Sequence, residues 1–296
     1  MKTSRQLNAL IRNMAKDKSI NAQIILRNFM LERLLERISL SPYRENLILK
    51  GGMLVAAMVG LDTRATMDMD TTLKGYPLTE ESVRSVFADI LAVPVEDHIT
   101  LTLKKLEEIR DEAEYSGIRV TLEMLLDETR QTLKVDITTG DPITPAAVDY
   151  SFRLLFEDRS IQIKAYNLET VLAEKLETIF SRSTANTRMR DFYDVYVLWN
   201  TRRSDIRFPV MKEAFERTVR KRESDFLLRG GIPESAEALS GSKEMKELWT
   251  RYQKKYIYAD DIAWENAVAA AKELYENAMA VTEDYNIGIG MDIKPL

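Results

Sequence analysis

Residues 50–70 read KGGMLVAAMVGLDTRATMDMD and set a glycine pair one short helix ahead of two aspartates. The residues before the pair, 46–50, have the pattern of a short strand, and residues 53–59 have that of a helix. Glycine lacks a Cβ atom, so Gly51 and Gly52 let backbone amides approach a ligand closely. Amides at a helix N-terminus also favour an anion. This order predicts a strand, a phosphate-binding turn and a helix.

The two aspartates, Asp68 and Asp70, follow in a segment with the period of a strand. Residues 65–73 alternate, so both aspartates share one face with Thr66, and Arg64 falls on that face as well. Two neighbouring carboxylates repel unless a cation or a shared proton lies between them, and Mg²⁺ bound by carboxylates and substrate phosphates meets that need. Taken separately, these features also suit a tight turn and two solvated acids on an edge strand. Their order favours a metal and phosphate site.

A third carboxylate, Asp136, lies in the segment QTLKVDITTG at residues 131–140. Apolar and polar side chains alternate there, so Asp136 lies on a polar strand face. Three acids on neighbouring strands could hold two metal ions, one activating an attacking hydroxyl and one stabilising the leaving oxygen of a phosphoryl transfer. An ordinary acid at the end of a strand has the same pattern. Both interpretations of Asp136 stay open.

Lys175 interrupts the apolar stripe of a helix predicted over residues 168–182. Its ammonium must either reach solvent or meet an anion in a partly desolvated place. A second helix, predicted over residues 191–200, begins at Asp191, which shares a face with apolar residues. We predict a half-buried ion pair of Lys175 with Asp191 that fixes the direction of the lysine. Asp191 also suits the position of an acid at a helix N-terminus, and the two roles are compatible.

These blocks resemble the AbiEii/AbiGii toxin family of nucleotidyltransferases, within the DNA polymerase β-like superfamily. The family pattern is a strand ending in lysine and a G-[GS] turn, then R-x-T-x-D-x-D, a later aspartate strand, a helical E-K-L, and an R-x-R-D-x-x-D helix start. Every block is present here, in order: Lys50-Gly51-Gly52, Arg64-Ala65-Thr66-Met67-Asp68-Met69-Asp70, Val135-Asp136, Glu174-Lys175-Leu176 and Arg188-Met189-Arg190-Asp191-Phe192-Tyr193-Asp194.

Two departures from the superfamily pattern concern the glycine turn. The usual Gly-Ser is Gly51-Gly52 here, so a hydroxyl contact to phosphate is missing, although the backbone amides remain. The segment between Gly52 and Asp68 is also long.

The resemblance implies a role for the residues of these blocks. Asp68 and Asp70 are predicted to bind Mg²⁺ or Mn²⁺, with Asp136 as the candidate third ligand. Lys175 is predicted to contact the triphosphate of an NTP, and Asp191 or Asp194 to complete the catalytic site. The other predicted nucleotide-binding residues are Gly51, Gly52, Arg64, Thr66, Arg190 and Asp194.

The resemblance also implies a toxin of a type IV toxin–antitoxin or phage abortive-infection system that moves a nucleotide from an NTP onto RNA, with tRNA as the expected acceptor. An antitoxin or transcriptional regulator encoded nearby is the expected partner. In the predicted mechanism an acceptor hydroxyl attacks, pyrophosphate leaves, and no protein nucleophile is needed. Replacing Asp68 or Lys175 with alanine is predicted to abolish transfer and leave the fold intact.

Two alternatives to RNA modification stay open. One is the same catalytic core modifying a hydroxyl of a protein, which would leave basic helices near the C-terminus without a role. The other is a non-catalytic module that binds nucleotide. The intact Asp68, Asp70 and Lys175 argue against the second.

The composition predicts a soluble cytoplasmic protein. Its 296 residues, 45% of them hydrophobic, can bury a sizeable core, and no apolar run is long enough to cross a bilayer. The N-terminus is polar where a signal peptide is apolar, and residues 3–6, TSRQ, suit a capping box. The absence of cysteine excludes thiolate ligands and cysteine nucleophiles. The one histidine, His98, is predicted to be structural or exposed, because no G-x-S-x-G motif accompanies it.

A net charge of −5 argues against a surface that is basic throughout, but nucleic-acid binding needs only a local patch. One group of cations surrounds the predicted active-site loop: Arg182, Arg188 and Arg190. A second recurs on a helix that begins near Pro209: Arg217, Arg220, Lys221 and Arg222. A third alternates with rings that can stack on bases: Lys243, Lys246, Arg251, Lys254 and Lys255, with Trp249, Tyr252, Tyr256 and Tyr258. Acidic neighbours on these helices also suit an ordinary solvated surface.

The periodicities predict an α+β fold. Residues 1–166 are predicted to form a nucleotidyltransferase domain with a mixed or antiparallel sheet and helices on one side, and residues 167–296 a mainly helical domain. Residues 3–40 are predicted to form two helices. Strands are predicted over residues 99–103, 118–126 and 132–138.

Other boundaries are also compatible with the sequence. Residues 200–209 are polar and end in proline, so a domain boundary near 205 fits as well, and residues 229–242 form a second break. The residues after 285 are predicted to form an irregular extension.

Overall fold

The computed structural model of the protein describes residues 3–109, 117–229 and 233–281. The chain divides into two compact units, Met1–Asn167 and Leu168–Leu296. The predicted extension after residue 285 lies outside the described residues, as do residues 230–232 of the predicted break.

The described part of the first unit contains four helices and seven strands. The helices are α1 (Ser4–Lys18), α2 (Ala22–Leu40), α3 (Gly51–Val59) and α4 (Glu80–Ala92). The strands are β1 (Leu47–Lys50), β2 (Met69–Leu73), β3 (Thr100–Ile109), β4 (Gly117–Leu126), β5 (Thr129–Thr138), β6 (Val148–Arg153) and β7 (Ser160–Ala165). The two predicted N-terminal helices are confirmed, and the Thr3 side chain caps α1 by accepting a hydrogen bond from the Gln6 amide at 3.3 Å.

The seven strands form one mixed sheet in the order β3-β4-β5-β2-β1-β7-β6. The β2–β5 and β1–β7 pairs are parallel, and the other neighbours are antiparallel. Helix α2 packs against β5 and β7. The predicted α+β fold is therefore confirmed.

The centre of the sheet has an apolar level next to a polar one. Met69 on β2 lies beside Val135 on β5, and both side chains are fully buried. One residue further along, Asp70 lies beside Asp136, and Asp136 lies beside Arg119 on β4. Because successive strand residues point to opposite faces, these charged side chains lie on the face opposite the apolar core.

Two features of the sheet differ from the predictions. Strand β2 begins at Met69, so Asp68 lies in the bend immediately before the strand, whereas residues 65–73 were predicted to be extended. Strands β6 and β7 are not among the predicted strands, which covered residues 46–50, 65–73, 99–103, 118–126 and 132–138. Strand β7 gains its place through parallel pairing with β1, a contact between distant parts of the chain that a local pattern does not contain.

The described part of the second unit is helical, as predicted. Its α-helices are α5 (Leu168–Arg182), α6 (Met189–Arg202), α7 (Phe208–Lys221), α8 (Glu234–Gly241), α9 (Lys243–Lys255) and α10 (Trp264–Met279). Helix α5 packs against α6 and α7, and α10 packs against the same two helices. Tyr275 of α10 lies with its ring 5.6 Å from those of Phe180 and Phe215. Within the described ranges no helix of either unit combines the length and apolar character needed to cross a membrane.

Candidate active site

The glycine pair forms the junction between β1 and α3. Helix α3 begins at Gly51, so the amides of the pair belong to the helix N-terminus. Gly51 has φ +65°, a left-handed conformation that side chains disfavour. A Cβ atom on Gly51 would lie 2.1 Å from Oδ2 of Asp70, and the Gly52 amide donates to the same oxygen at 3.4 Å. The turn therefore requires glycine because the Asp70 carboxylate lies directly against it.

The loop before β2 is held by buried polar contacts. Asn28 of α2 donates from Nδ2 to the Thr66 carbonyl at 2.8 Å, and Thr66 donates to the Asp68 carbonyl at 3.3 Å. Arg64 is only 1% exposed and donates to the Ala65 carbonyl. Both predicted nucleotide-binding residues of this loop, Arg64 and Thr66, thus shape the segment that carries Asp68. Their contact with a nucleotide stays a prediction.

The polar row of the sheet consists of Lys50, Asp70, Asp136 and Arg119, which occupy paired positions on four adjacent strands. The two carboxylates lie in the middle and a cation lies at each end. This arrangement brings Asp70 and the third predicted carboxylate, Asp136, together on neighbouring parallel strands. A metal site shared by the two carboxylates needs this proximity.

Asp136 is bound by an arginine. Arg119 donates from Nε and Nη2 to the two carboxylate oxygens at 2.7 and 2.6 Å, a bidentate geometry. The pair is partly exposed, with 37% of the Arg119 side chain and 22% of the Asp136 side chain open to solvent. Asp136 therefore has both of its oxygens engaged by Arg119.

Asp70 lies in a negative environment. Burial raises the pKa of the Asp70 carboxyl, and the nearby Asp136 and Asp68 raise it further, whereas Lys50 and the Gly52 amide act in the opposite direction. The balance raises the pKa above its usual value. The positive charge near Asp70 therefore does not balance its ionised carboxylate, and a bound cation would stabilise the ionised form.

Asp68 is the acid best placed to bind a cation with Asp70. Its carboxylate is partly exposed and makes no hydrogen bond or ion pair with any residue that the structure describes. Two carboxylates are hard oxygen donors that suit Mg²⁺, which commonly takes one or two carboxylates together with substrate phosphates. Across residues 3–109, 117–229 and 233–281 no group of three His, Cys, Asp or Glu side chains forms a ready metal cage. The residues fit a metal that is also held by substrate.

Lys50 is fixed beside this pair. Its ammonium donates to Asp141 at 2.7 Å and lies 5.4 Å from the centre of the Tyr166 ring. Thr138 donates to the same Asp141 oxygen at 3.0 Å, and the Tyr166 and Thr72 hydroxyls are 2.6 Å apart. These contacts hold a cation next to the glycine turn.

The second unit contains the predicted lysine group. Lys175 of α5 donates to Asp191 at 2.9 Å and lies 2.7 Å from an oxygen of Asp194, both on α6. Its side chain is 13% exposed, and that of Asp194 is completely buried. The predicted half-buried ion pair with Asp191 is confirmed, and a second aspartate joins it. Because Asp191 also lies in the first turn of α6, its two predicted roles coexist.

A match to a protein-family model identifies the family. The model of the nucleotidyl transferase AbiEii toxin of type IV toxin–antitoxin systems matches residues 33–270. This chain belongs to the AbiEii family. It is therefore a nucleotidyltransferase, and the resemblance inferred from the sequence blocks is confirmed.

Solved structures with a similar fold are distant in sequence. A proposed nucleotidyltransferase from H. pylori is 15% identical, with 88% of this chain and 96% of that chain covered and a TM-score of 0.48. JHP933 from Helicobacter pylori is 13% identical, with 91% and 97% covered and a TM-score of 0.49. An antigenic nucleotidyltransferase-like protein from Paracoccidioides brasiliensis is 12% identical, with 84% and 92% covered and a TM-score of 0.34. No curated protein matches the chain significantly.

The predicted basic groups of this AbiEii-family protein differ in whether acidic residues neutralise them. On α7, Arg217 lies 3.6 Å from Glu213 and Arg220 lies 3.1 Å from Glu216, so both cations have acidic neighbours. Arg222 is mostly buried and pairs with Glu177, among other partners. The α7 group is therefore largely neutralised. On α9, Arg251, Lys254 and Lys255 are exposed.

Arg119 is the site residue that the sequence interpretation missed. It pairs with Asp136 across a hairpin whose connection is Asp127 and Glu128. Counting outward from that two-residue connection puts Arg119 opposite Asp136, so the hairpin contained the signal. His98, in contrast, is exposed as predicted.

Proposed function

We propose that this AbiEii-family enzyme transfers a nucleoside monophosphate from an NTP to RNA, with tRNA as the acceptor. The observation that carries the proposal is the contact of the Asp70 carboxylate with the Gly51-Gly52 turn at the start of α3. This contact supports the proposal because it puts the amides of a helix N-terminus beside a carboxylate, so a phosphate and a cation could bind next to each other. Asp68 lies two residues away, with its carboxylate open.

The glycine turn would bind the phosphates. The N-terminal amides of α3 carry partial positive charge, and the absence of side chains at Gly51 and Gly52 allows close approach of an anion. Lys50 adds a cation at the end of β1. These groups would orient the triphosphate beside the two carboxylates.

Asp68 and Asp70 would hold Mg²⁺ or Mn²⁺. A divalent ion there supplies electrostatic stabilisation of the charge that develops on the phosphate oxygens. Asp136 remains the proposed third ligand, in competition with Arg119, which engages both of its oxygens. The carboxylates fix the position of the positive charge, and their ionised form is the one that binds.

The reaction is a displacement at the α-phosphorus. An RNA hydroxyl oxygen forms the new bond to the α-phosphorus, the bond from that phosphorus to the β-bridging oxygen breaks, and pyrophosphate leaves with the electron pair. The hydroxyl proton passes to solvent or to a carboxylate. Positioning and electrostatics supply the rate enhancement, and the chain contributes no nucleophile.

Lys175 is proposed to contact the triphosphate, as the family motif implies. Asp191 accepts a hydrogen bond from its ammonium at 2.9 Å, and an oxygen of Asp194 lies 2.7 Å from the ammonium. The two aspartates thereby fix the direction of the lysine side chain. Arg190 and Asp194 remain proposed nucleotide-binding residues. Substitution of Lys175, Arg190 and Asp194 tests these nucleotide-binding roles.

The biological role is proposed from the family. A type IV toxin acts with an antitoxin, which we propose is a regulator encoded nearby, and nucleotide addition to tRNA would block translation and growth, including during phage infection. The proposed location of these events is the cytoplasm, where the RNA substrate is.

The test is incubation of the purified protein with Mg²⁺, each α-labelled NTP in turn and total bacterial RNA. The matched control is the Asp68→Ala, Asp70→Ala double variant, checked for folding by circular dichroism. Label in a tRNA-sized band with the intact protein alone is the expected result. Label on protein would redirect the proposal to a protein hydroxyl, and no label with any NTP would reject transfer.

A further inference from the structure

A group of tyrosine rings lies where α9 ends. Tyr256 follows the last residue of α9, and a short 3₁₀ helix, Ile257–Ala259, begins directly after it and contains Tyr258. Tyr256 and Tyr258 stack with centroids 5.4 Å apart and planes at 24°. Tyr193 of α6 contacts the Tyr258 ring at 4.7 Å, and Tyr252 contacts the Tyr256 ring at 4.7 Å. The rings form one continuous aromatic cluster.

This cluster has a buried base and an open rim. Tyr252 is buried, and it supports Tyr256 and Tyr258, which are partly exposed. Ile257, between them in sequence, is 73% exposed. We call Tyr256, Ile257 and Tyr258 the tyrosine rim. It offers ring and aliphatic surface to solvent.

Cations accompany the tyrosine rim. The Arg190 guanidinium lies 5.6 Å from the Tyr256 ring centre and donates to the Tyr256 hydroxyl at 2.9 Å. The Lys255 ammonium lies 5.4 Å from the same ring centre. Burial alone raises the pKa of the Tyr256 hydroxyl, but Arg190 and Lys255 outweigh it and lower the pKa. The ring therefore lies in a positive local field.

The positive charge beside the rim is not cancelled by ion pairs. Arg190, Arg251, Lys254 and Lys255 form none with a carboxylate of the described ranges, whereas the α7 arginines have acidic partners. Asp191, next to Arg190 in sequence, pairs with Lys175 instead, and Asp260 and Asp261 follow the rim. The four cations near the rings therefore keep their charge available for an anion.

The rim and the lysine group both contact helix α6. Arg190 directly precedes Asp191, and Tyr193 directly precedes Asp194. Both aspartates lie against Lys175. Helix α6 therefore contacts both the rim and the lysine that the proposed function assigns to the triphosphate.

We propose that the tyrosine rim stacks an unpaired base of the acceptor RNA, while Arg251, Lys254 and Lys255 neutralise the adjoining phosphates. Rings that every base can stack on, combined with cations along a backbone path, are the features of single-stranded nucleic-acid binding. Cations in addition to Arg190 favour a strand with several phosphates over the base of a single NTP. The inference rests on the proposed function for the identity of the RNA as acceptor.

The test measures RNA binding without NTP or metal. Fluorescence anisotropy would compare a labelled single-stranded RNA of about 12 nucleotides, intact tRNA, and tRNA trimmed of its unpaired 3′ nucleotides. All variants would be made in the full chain with Asp68→Ala and Asp70→Ala, so turnover cannot interfere. Thermal unfolding of each variant would be recorded alongside.

Loss of the ring should weaken binding and loss of the hydroxyl should not. Tyr256→Leu is expected to raise the Kd for single-stranded RNA and intact tRNA about tenfold, and Tyr256→Phe to change it by less than about twofold. Ile257→Glu changes an exposed side chain and adds negative charge, so it tests the rim without disturbing the core. It is expected to weaken binding as well. Trimmed tRNA should bind the unsubstituted protein weakly.

Two controls match these variants. Arg217→Ala removes the same charge as Arg190→Ala from a paired arginine of α7, and is expected to leave the Kd unchanged while Arg190→Ala raises it. Tyr76→Leu removes an exposed tyrosine of the first unit. It should also bind RNA normally.

Two results would overturn the inference: no RNA binding by the chain without a substitution in the rim, or unchanged binding by folded Tyr256→Leu and Ile257→Glu. These results are distinct from failure of the proposed function. If the protein transfers nucleotide but the rim variants bind RNA normally, only the inference is rejected. If the rim binds RNA but the protein transfers no nucleotide, only the proposed reaction is rejected.

Discussion

Asp70 and Asp136 occupy paired positions on neighbouring parallel strands, yet their surroundings differ. Asp70 lies against a glycine turn that supplies only backbone. Asp136 lies against Arg119, which binds both of its oxygens. The first carboxylate needs additional positive charge, and the second already has it. Two acids with the same position in a strand pattern therefore differ in readiness to bind a metal, because their neighbours on the adjoining strands differ.

The strongest test of this comparison is loss of charge at Asp70. Asp70→Asn keeps the shape of the side chain and removes the charge, so transfer should fall by at least about a hundredfold. The effect should exceed that of Asp136→Asn measured under the same conditions. Initial rates of nucleotide transfer over a range of Mg²⁺ concentrations would decide. Equal losses in the two variants would mean that the arginine does not set Asp136 apart.

Lys175 resembles Asp136 in this comparison, because it is already paired with residues of opposite charge, Asp191 and Asp194. Lys175→Ala should reduce transfer by about a hundredfold. The sequence predicted an intact fold for this variant, but Asp194 is fully buried and loses a partner, so we expect unfolding to become easier by about 1–3 kcal/mol. Urea denaturation would measure it, with Lys175→Ala, Asp194→Asn as the variant that should recover part of the loss. Full activity in the folded single variant would remove Lys175 from the mechanism.

The glycine turn beside Asp70 can be tested with one methyl group. Gly51→Ala would put a Cβ atom 2.1 Å from the Asp70 carboxylate at a positive φ, so it should cost about 2–4 kcal/mol of stability and displace Asp70. Gly75→Ala is the matched control. Gly75 also has positive φ, but its nearest contact, Asn46, would be at 3.3 Å, so a loss of about 1–2 kcal/mol is expected. Similar losses would argue against the close approach of Asp70.

The smallest expected effect concerns Arg119. Its partly exposed pair with Asp136 should contribute about 1 kcal/mol or less to stability, so Arg119→Ala should fold normally. If Asp136 is the third ligand, removing its competitor should lower the Mg²⁺ concentration for half-maximal transfer several-fold. The double variant Arg119→Ala, Asp136→Asn should lose this gain. An unchanged Mg²⁺ requirement in Arg119→Ala would mean that Asp136 pairs with Arg119 and does not bind the metal.

Local patterns predicted most helices and the central strands. Residues 168–182 were predicted as a helix with the bounds that α5 has, and the apolar stripe with an inserted lysine predicted the ion pair of Lys175 with Asp191. Strand β2 was predicted four residues too long, because the loop before it has strand-like alternation but is held by buried hydrogen bonds. Asp68 consequently precedes the strand.

The order of the glycine turn, the paired aspartates and the lysine helix could be inferred from the sequence, since these features depend on residue type and short-range period. The neighbours of each charged group follow from the fold. Parallel pairing brought Asp70 beside Asp136, and a hairpin brought Arg119 to Asp136 alone. In the second unit the fold brought Arg190 of α6 and Lys255 of α9 to the same tyrosine ring, whereas the pairs that neutralise Arg217 and Arg220 lie within α7. The charge available to Asp70 and Asp136 depends on the pairing of strands, and no local period contains the pairing of strands that are distant in the chain.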